Sequence, residues 1–441
     1  MTLGPFKMRF VLRFVLTVLS LFGGVYSQPP SMIYNVNRHS VREPRDTSTR
    51  ESGAQLLSSA YDRLYVKGQH LRQKYPILSA TYKEEEIRVN SSAWQRTVST
   101  AHGILAGLYQ SLNNVTMQIP VFTHPWEFDY TLYNYDKCPN YDTAWNNFLT
   151  SPEWTQKVQK YSNLTSYLNT LLAPSTPIKL SNIFSTWDLY WIQRNRPEVG
   201  TITPQIDDYT YNMLTEATTY VETTRYSTRI SGTYLGSTLL EAVRYRMEMF
   251  KTGNKVFGHK WISSSSHYAT QLNLLASMGY TGIVSQRIPD YNSVITFELY
   301  NRTNNVLYPS GWSVKMRYWD GLPNDNNIPI ALGSCVEGQD CEIDYNTFWS
   351  TYKVKDLKQW CQDCGSMLWM CKGANPDTFN TTANGLNSTY VYNEVMQSDV
   401  VRNLVISLLV IMSLFFSLQL TLYTCNKLRY NRVNSRSTNN V

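Results

Sequence analysis

Along most of the chain, apolar runs of strand length alternate with longer stretches whose apolar residues recur every three or four positions. Residues 31–36 read as a buried strand, which delivers Arg38, His39 and Arg42 into a polar loop closed by Pro44. Residues 53–75 have helical spacing, with Leu57, Tyr61, Leu64, Tyr65 and Leu71 near one face. A short strand is predicted over 86–89. The following stretch, 93–112, predicts a helix that turns Val98, Ile104, Leu105, Leu108 and Leu112 inward. From 122 to about 250 the chain changes character. Its first part is rich in Trp, Tyr, Asn and Pro, and helices are predicted over 152–172, 207–222 and 237–250, so this region reads as an insertion. The alternation then returns, with a strand over 255–263, a polar loop over 264–267 and a helix over 268–278 that stops at Gly279. Two late strands, 293–300 and 312–319, form a hairpin whose turn begins at Asn301. Strands alternating with helices predict an α/β sheet covered on both faces. Sites in such sheets lie beyond the strand ends, which is where His39 and His267 fall.

Both ends of the chain add a compartment to this picture. In residues 1–27, Lys7, Arg9 and Arg13 precede an apolar core and small residues close the segment, the pattern of a secretory signal. Residues 404–425 are apolar apart from Ser, Thr and Gln419, long enough for a ~30 Å hydrocarbon core. Lys427, Arg429, Arg432 and Arg436 follow, which places the tail, 426–441, in the cytoplasm and 28–371 outside as the ectodomain of a single-pass type I membrane protein. Residues 372–399 read as a Gly/Asn/Thr-rich stalk. Sequons at Asn90, Asn114, Asn163, Asn301, Asn380 and Asn387 fit a glycosylated surface, at the cell surface or in endosomes and lysosomes. Cys138, Cys335, Cys341, Cys361, Cys364 and Cys371 suit three disulfides in an oxidising compartment, and Cys425, at the inner membrane face, is either free or palmitoylated.

The net charge of +7 changes little, because part of it sits in the signal-like segment and the tail. No basic block remains to track nucleic acid, so no such partner is expected. Thirty-two tyrosines and twelve tryptophans indicate a large core whose aromatic groups keep polar tips. The Cys361-x-x-Cys364 spacing lacks a second Cys or His pair, and neither a metal nor a cofactor is expected.

Two guanidiniums flanking an imidazole suit a phosphate, since Arg binds oxyanions through a planar fork and a neutral His nitrogen can attack phosphorus. The plainer alternative for Arg38, His39 and Arg42 is a basic surface turn. Further residues carry a resemblance. The strand ending in Arg38-His39, then Arg42 and Pro44, the 68–75 run GQHLRQKY, the helix start Arg96-Thr97, Cys138-Pro139, the loop with His267 and the late 297–300 run FELY together resemble the histidine acid phosphatase family, the branch of the lysosomal and prostatic enzymes.

That resemblance covers nearly the whole ectodomain and implies a phosphoglycerate mutase-like α/β fold, a mixed sheet with helices on both faces and a helical cap matching 122–250. It implies His39 as the nucleophile, Arg38 and Arg42 as phosphate clamp and His267 as a second phosphate ligand, acting on a phosphomonoester, and it admits a homodimer. It also suggests pairing Cys335 with Cys341 and Cys138 with Cys364, which leaves Cys361 with Cys371. Three positions depart from the family pattern. Ser40 replaces a glycine, Tyr268 stands where an Asp gives a proton to the leaving group, and Asn90 falls where a third clamp Arg belongs, with Arg88 able to serve only after a two-residue shift. A proton donor is worth roughly 100 to 10,000-fold. The preferred reading is therefore a pseudoenzyme of strongly reduced or lost activity with a binding or scaffolding role. The alternative is an active acid phosphatase, a hydrolase working through phosphohistidine at His39, in which Glu43 or Asp46 supplies the missing proton.

Overall fold

In the first strand, β1 (Met32–Arg38), Met32, Tyr34 and Val36 face one side and Ile33, Asn35 and Asn37 the other, as the period of two requires. All seven residues are buried, so the strand lies inside a sheet covered on both faces. In this computed structural model the described residues are 28–44, 55–109, 119–200, 204–232, 234–321, 326–333, 335–352 and 354–372. The signal-like segment, nearly all of the stalk, the apolar segment at 404–425, the tail, Asp46, and Asn114, Asn380 and Asn387 lie outside them. Among the described residues no helix is long and apolar enough to cross a membrane.

The chain continues through α1 (Ser58–Lys74), β2 (Ile87–Ser92), α2 (Gln95–Leu108) and β3 (Val121–His124). Helices α1 and α2 approach so closely that a Cβ on Gly107 would stand 1.9 Å from the Tyr65 carbonyl oxygen. The middle of the chain forms α3 (Pro139–Phe148), α4 (Pro152–Lys160), α5 (Ser162–Leu172), α6 (Phe184–Asn195), α7 (Asp208–Arg225) and α8 (Ser237–Lys251). Then come β4 (Trp261–Ser266), α9 (Tyr268–Ser277), β5 (Val294–Asn301), β6 (Trp312–Trp319), β7 (Asn327–Pro329), β8 (Ile343–Asp344), α10 (Tyr345–Thr351) and α11 (Leu357–Cys364). The eight-stranded sheet runs β3-β2-β4-β1-β5-β6-β7, with β8 also on β6. Its β1, β2, β3 and β4 are parallel neighbours, whereas β5, β6 and β7 add antiparallel pairs.

Three expectations need correction. The helix expected over 152–172 is interrupted at Tyr161, where the backbone leaves helical angles (φ −100°, ψ 12°) and divides α4 from α5; its ring is buried and its hydroxyl donates to Glu216 Oε1 at 2.9 Å. The serines expected in a loop over 264–267 belong to β4, which starts at Trp261 rather than 255. Their hydroxyls find partners inside the sheet: Ser265 Oγ donates to the Thr97 carbonyl at 2.7 Å and Ser266 Oγ to the Asn37 carbonyl at 3.0 Å. Lastly, α8 packs Leu239, Leu240, Val243 and Met247 against the sheet with Ile262 and Phe297, so the apolar core of the cap ends before it. That core gathers Tyr141, Trp145, Leu168, Trp187, Leu214 and Val221. Disulfide Cys138–Cys364 ties the start of α3 to the end of α11, and Cys361–Cys371 and Cys335–Cys341 close short loops. Cys361 and Cys364 thus serve separate bridges.

Candidate active site

The carboxyl ends of β1, β4 and β2 lie side by side, with Arg38 in register with Ser266. They present His39, His267 and Ser92 at one edge of the sheet, under the cap, as expected for parallel strands. A cavity of about 460 Å³ opens there, lined by Arg38, His39, Arg42, Arg96, His267 and Tyr268 from the sheet side and by Phe184, Glu222 and Arg225 from the cap.

His39 is buried, its ring 5.4 Å from that of His267 and 5.5 Å from that of Tyr291. Nδ1 sits 2.8 Å from the Ser40 carbonyl oxygen. A carbonyl only accepts, so Nδ1 carries the proton and Nε2 keeps its lone pair. Burial, then the charges of Arg96, His267, Arg38 and Arg42, hold the imidazole well below its usual range. The ring therefore stays neutral in acid, the form that can attack phosphorus.

The cations around it are anchored. Arg38 Nη1 donates to the Pro289 carbonyl and its guanidinium lies 3.7 Å from the Tyr291 ring centre. Arg42 pairs with Asp188 of α6 at 2.7 Å, with both side chains buried, and Tyr291 donates its hydroxyl to the same carboxylate. Arg96 opens α2 and stacks 4.4 Å from the Trp94 ring centre. His267 Nε2 lies 3.0 Å from Ser92 Oγ. Together these groups can cradle a dianionic phosphate through charge-assisted hydrogen bonds.

Other expected residues lie elsewhere. Ser40 is fully buried off the cavity, its amide donating to Thr100 Oγ1 at 2.9 Å, so its side chain does not crowd the phosphate position. Arg88 is withdrawn from the site. It shares a strand face with Asn90, lies 3.1 Å from the Phe122 ring centre and donates Nε to Asn90 Oδ1 at 3.3 Å, and neither residue lines the cavity. Asn90 is half-buried within a strand paired on both sides, whereas Asn163 and Asn301 are exposed. Glu43 is exposed and outside the cavity.

Tyr268 occupies the position after His267, its ring stacked 4.8 Å from that of Phe184 and its hydroxyl donating to Glu222 Oε2 at 2.7 Å. Burial, then the neighbouring Glu222, pushes the phenol well above its usual range. Burial also raises the Glu222 carboxyl. Glu222 was missed from the sequence although a signal existed: in α7 the buried positions 214, 217, 218, 221 and 222 form one stripe, and a carboxylate on an apolar stripe is out of place. Arg96 was read only as a helix start. Asp188, Arg225 and Tyr291 had no local pattern to mark them.

The sequence profile of the histidine phosphatase superfamily (branch 2) matches residues 22–318, and the chain belongs to that family. Bovine lysosomal acid phosphatase is 25% identical over 332 residues, 70% of this chain and 73% of that protein. Bovine prostatic acid phosphatase is 28% identical over 181 residues, 37% of this chain but only 47% of that protein. The phytase of Citrobacter braakii shares the fold, with TM-score 0.51 and 14% identity over 71% of this chain and 95% of its own. The D. castellii phytase does so too, with TM-score 0.51 and 16% identity over 83% and 89%.

Proposed function

We propose that this domain binds phosphate monoesters at His39 and turns them over much more slowly than a site with an aspartic acid donor, so that it serves in a binding or scaffolding role. One observation carries the reading. A neutral His39 shares its cavity with Arg38, Arg42, Arg96 and His267, while the position of the family's acid is a phenol. A phenol, with a reference pKa near 10, is a far weaker acid than a carboxyl near 4. Phosphate charge is thus met while leaving-group protonation is weakened, and the two contribute separately to the rate.

The reading includes a type I membrane setting, supported by the signal-like residues 1–27 and the apolar 404–425 followed by cations. The lysosomal acid phosphatases among the relatives support a lysosomal or endosomal compartment. A second reading, an active acid phosphatase, is favoured by the carboxyl of Glu222 behind Tyr268.

The purified ectodomain tests the first reading. Inorganic phosphate at about 10 mM is expected to raise its Tm, and glycerol 2-phosphate hydrolysis at about pH 5 is expected to be slow and absent from His39→Ala. No stabilisation by phosphate, or equal hydrolysis by His39→Ala, overturns the reading.

A further inference from the structure

We propose that Glu222, on the cap helix α7, supplies the proton for the leaving group through Tyr268, a relay from the cap replacing the acid that the sheet side lacks. The inference rests on phosphate binding at His39 and adds the origin of the proton. Tyr268 follows His267 directly and lines the cavity, and its hydroxyl is 2.7 Å from Glu222 Oε2. Glu222 is 3% exposed and lines the same cavity.

The surroundings favour the neutral form of that carboxyl. Arg225, one turn along α7, is the cation nearest by sequence, but its Nε donates to Tyr141 Oη of α3 at 3.1 Å. Tyr141 of α3, Tyr226 and Tyr268 are titratable groups that feel the charge of Glu222, and Asp136 and Asp142 line the same cavity. Burial outweighs the opposing effects of Arg225 and Tyr268, and the Glu222 carboxyl is raised. A buried carboxyl on an otherwise apolar helix stripe is costly for folding, and such sites cluster where chemistry needs them.

The steps balance. His39 Nε2 forms the N–P bond as the ester P–O bond breaks, its electron pair staying on the leaving oxygen. With the Glu222 carboxyl protonated, the 2.7 Å contact reverses and the carboxyl donates to the phenol oxygen, so the leaving oxygen takes the phenolic proton of Tyr268 and Tyr268 takes the carboxyl proton of Glu222. Water then attacks phosphorus and its proton returns through Tyr268 to Glu222, while the N–P electrons return to Nε2. Ester and water become alcohol and phosphate, and every group is restored.

The test compares two esters that differ in their need for a proton. p-Nitrophenyl phosphate releases an acidic phenol, whereas glycerol 2-phosphate releases an alkoxide that must be protonated. In the full ectodomain, Glu222→Gln is expected to lower kcat/KM for glycerol 2-phosphate about 100-fold and to lower it far less for p-nitrophenyl phosphate, and the rise in Tm on adding inorganic phosphate reports that the variant folds. Tyr268→Phe should show the same selectivity. In the wild type, glycerol 2-phosphate hydrolysis should fall as pH rises through the Glu222 titration, and this limb should be missing in Glu222→Gln. Equal losses on both esters, or no loss on either, overturn the relay while His39-dependent hydrolysis and phosphate stabilisation still stand. A wild-type domain that phosphate does not stabilise and that cleaves neither ester overturns the binding reading and the relay together.

Discussion

Replacing Asp188 by Asn tests how the clamp is held. Asp188 stands behind Arg42, with its carboxylate 2.7 Å from Nη2 and the two side chains 2% and 4% exposed. The substitution keeps shape and an acceptor oxygen but removes the negative charge, leaving a buried guanidinium without its counter-ion. Breaking one side of a buried pair costs about 3–5 kcal/mol, and the retained acceptor argues for the lower end. A phosphate dianion in the cavity would then be Arg42's nearest compensating charge, and it would no longer compete with a carboxylate. Its affinity should rise about tenfold, or ~1.4 kcal/mol. Urea unfolding at neutral pH, without and with phosphate at a fixed excess, measures both numbers. Asp188→Asn should be less stable by about 3 kcal/mol without phosphate, and should recover more than the wild type gains when phosphate is added. A variant within ~0.5 kcal/mol of the wild type, or equal increments from phosphate in both proteins, would refute the account of Arg42.

Arg96→Ala removes the charge that, after burial, does most to hold His39 low. The imidazole pKa should then rise toward its ordinary value, so less of the neutral nucleophile is present in acid, and the acid limb of p-nitrophenyl phosphate hydrolysis should move to higher pH; an unmoved limb would show that Arg96 does not act on His39. Gly107→Ala should destabilise by about 3 kcal/mol or more despite alanine's better helix propensity, because its Cβ would stand 1.9 Å from the Tyr65 carbonyl. Chemical denaturation checks it, with Gly253→Ala as a control in open space; its positive φ predicts a loss of only about 1–2 kcal/mol.

How far the chain could be read depended on whether a residue's role was written in its neighbours. Strand β1 alternates cleanly and ends in Arg38, so its position and the approach of His39 to a strand end were legible. Strand β4 was read too early because Ser264, Ser265 and Ser266 look like a loop; only their hydrogen bonds to β1 and α2 show how a strand can bury them. Tyr161 fits a helical period, yet its backbone departs from helical angles, at φ −100° and ψ 12°, and no neighbour in sequence marks that departure. Arg88 was expected to serve the clamp only after a two-residue shift. The pleat instead turns it to the face of Asn90 and Phe122, since a shift of two residues keeps the face but not the distance to the strand end.

On the proposed reading, the two ends of an ester in the cavity would meet different parts of the fold. Arg38, His39, His267 and Ser92 come from the carboxyl ends of β1, β4 and β2, and their mutual positions follow from strand register. Phe184, Glu222 and Arg225 come from the cap. Tyr268 lies between, with its backbone opening α9 and its ring and hydroxyl engaged by the cap through Phe184 and Glu222. Substitution in the cap can therefore alter leaving-group protonation while the phosphate end stays as strand register sets it. Asp188 is the exception, because it reaches from α6 in the cap to Arg42 and makes the clamp depend on the cap's seating. Cys138–Cys364 fixes the α3 end of the cap to α11. Loosening the cap should thus weaken Arg42's hold and the Tyr268–Glu222 contact together, whereas a change confined to Glu222 should touch only the second.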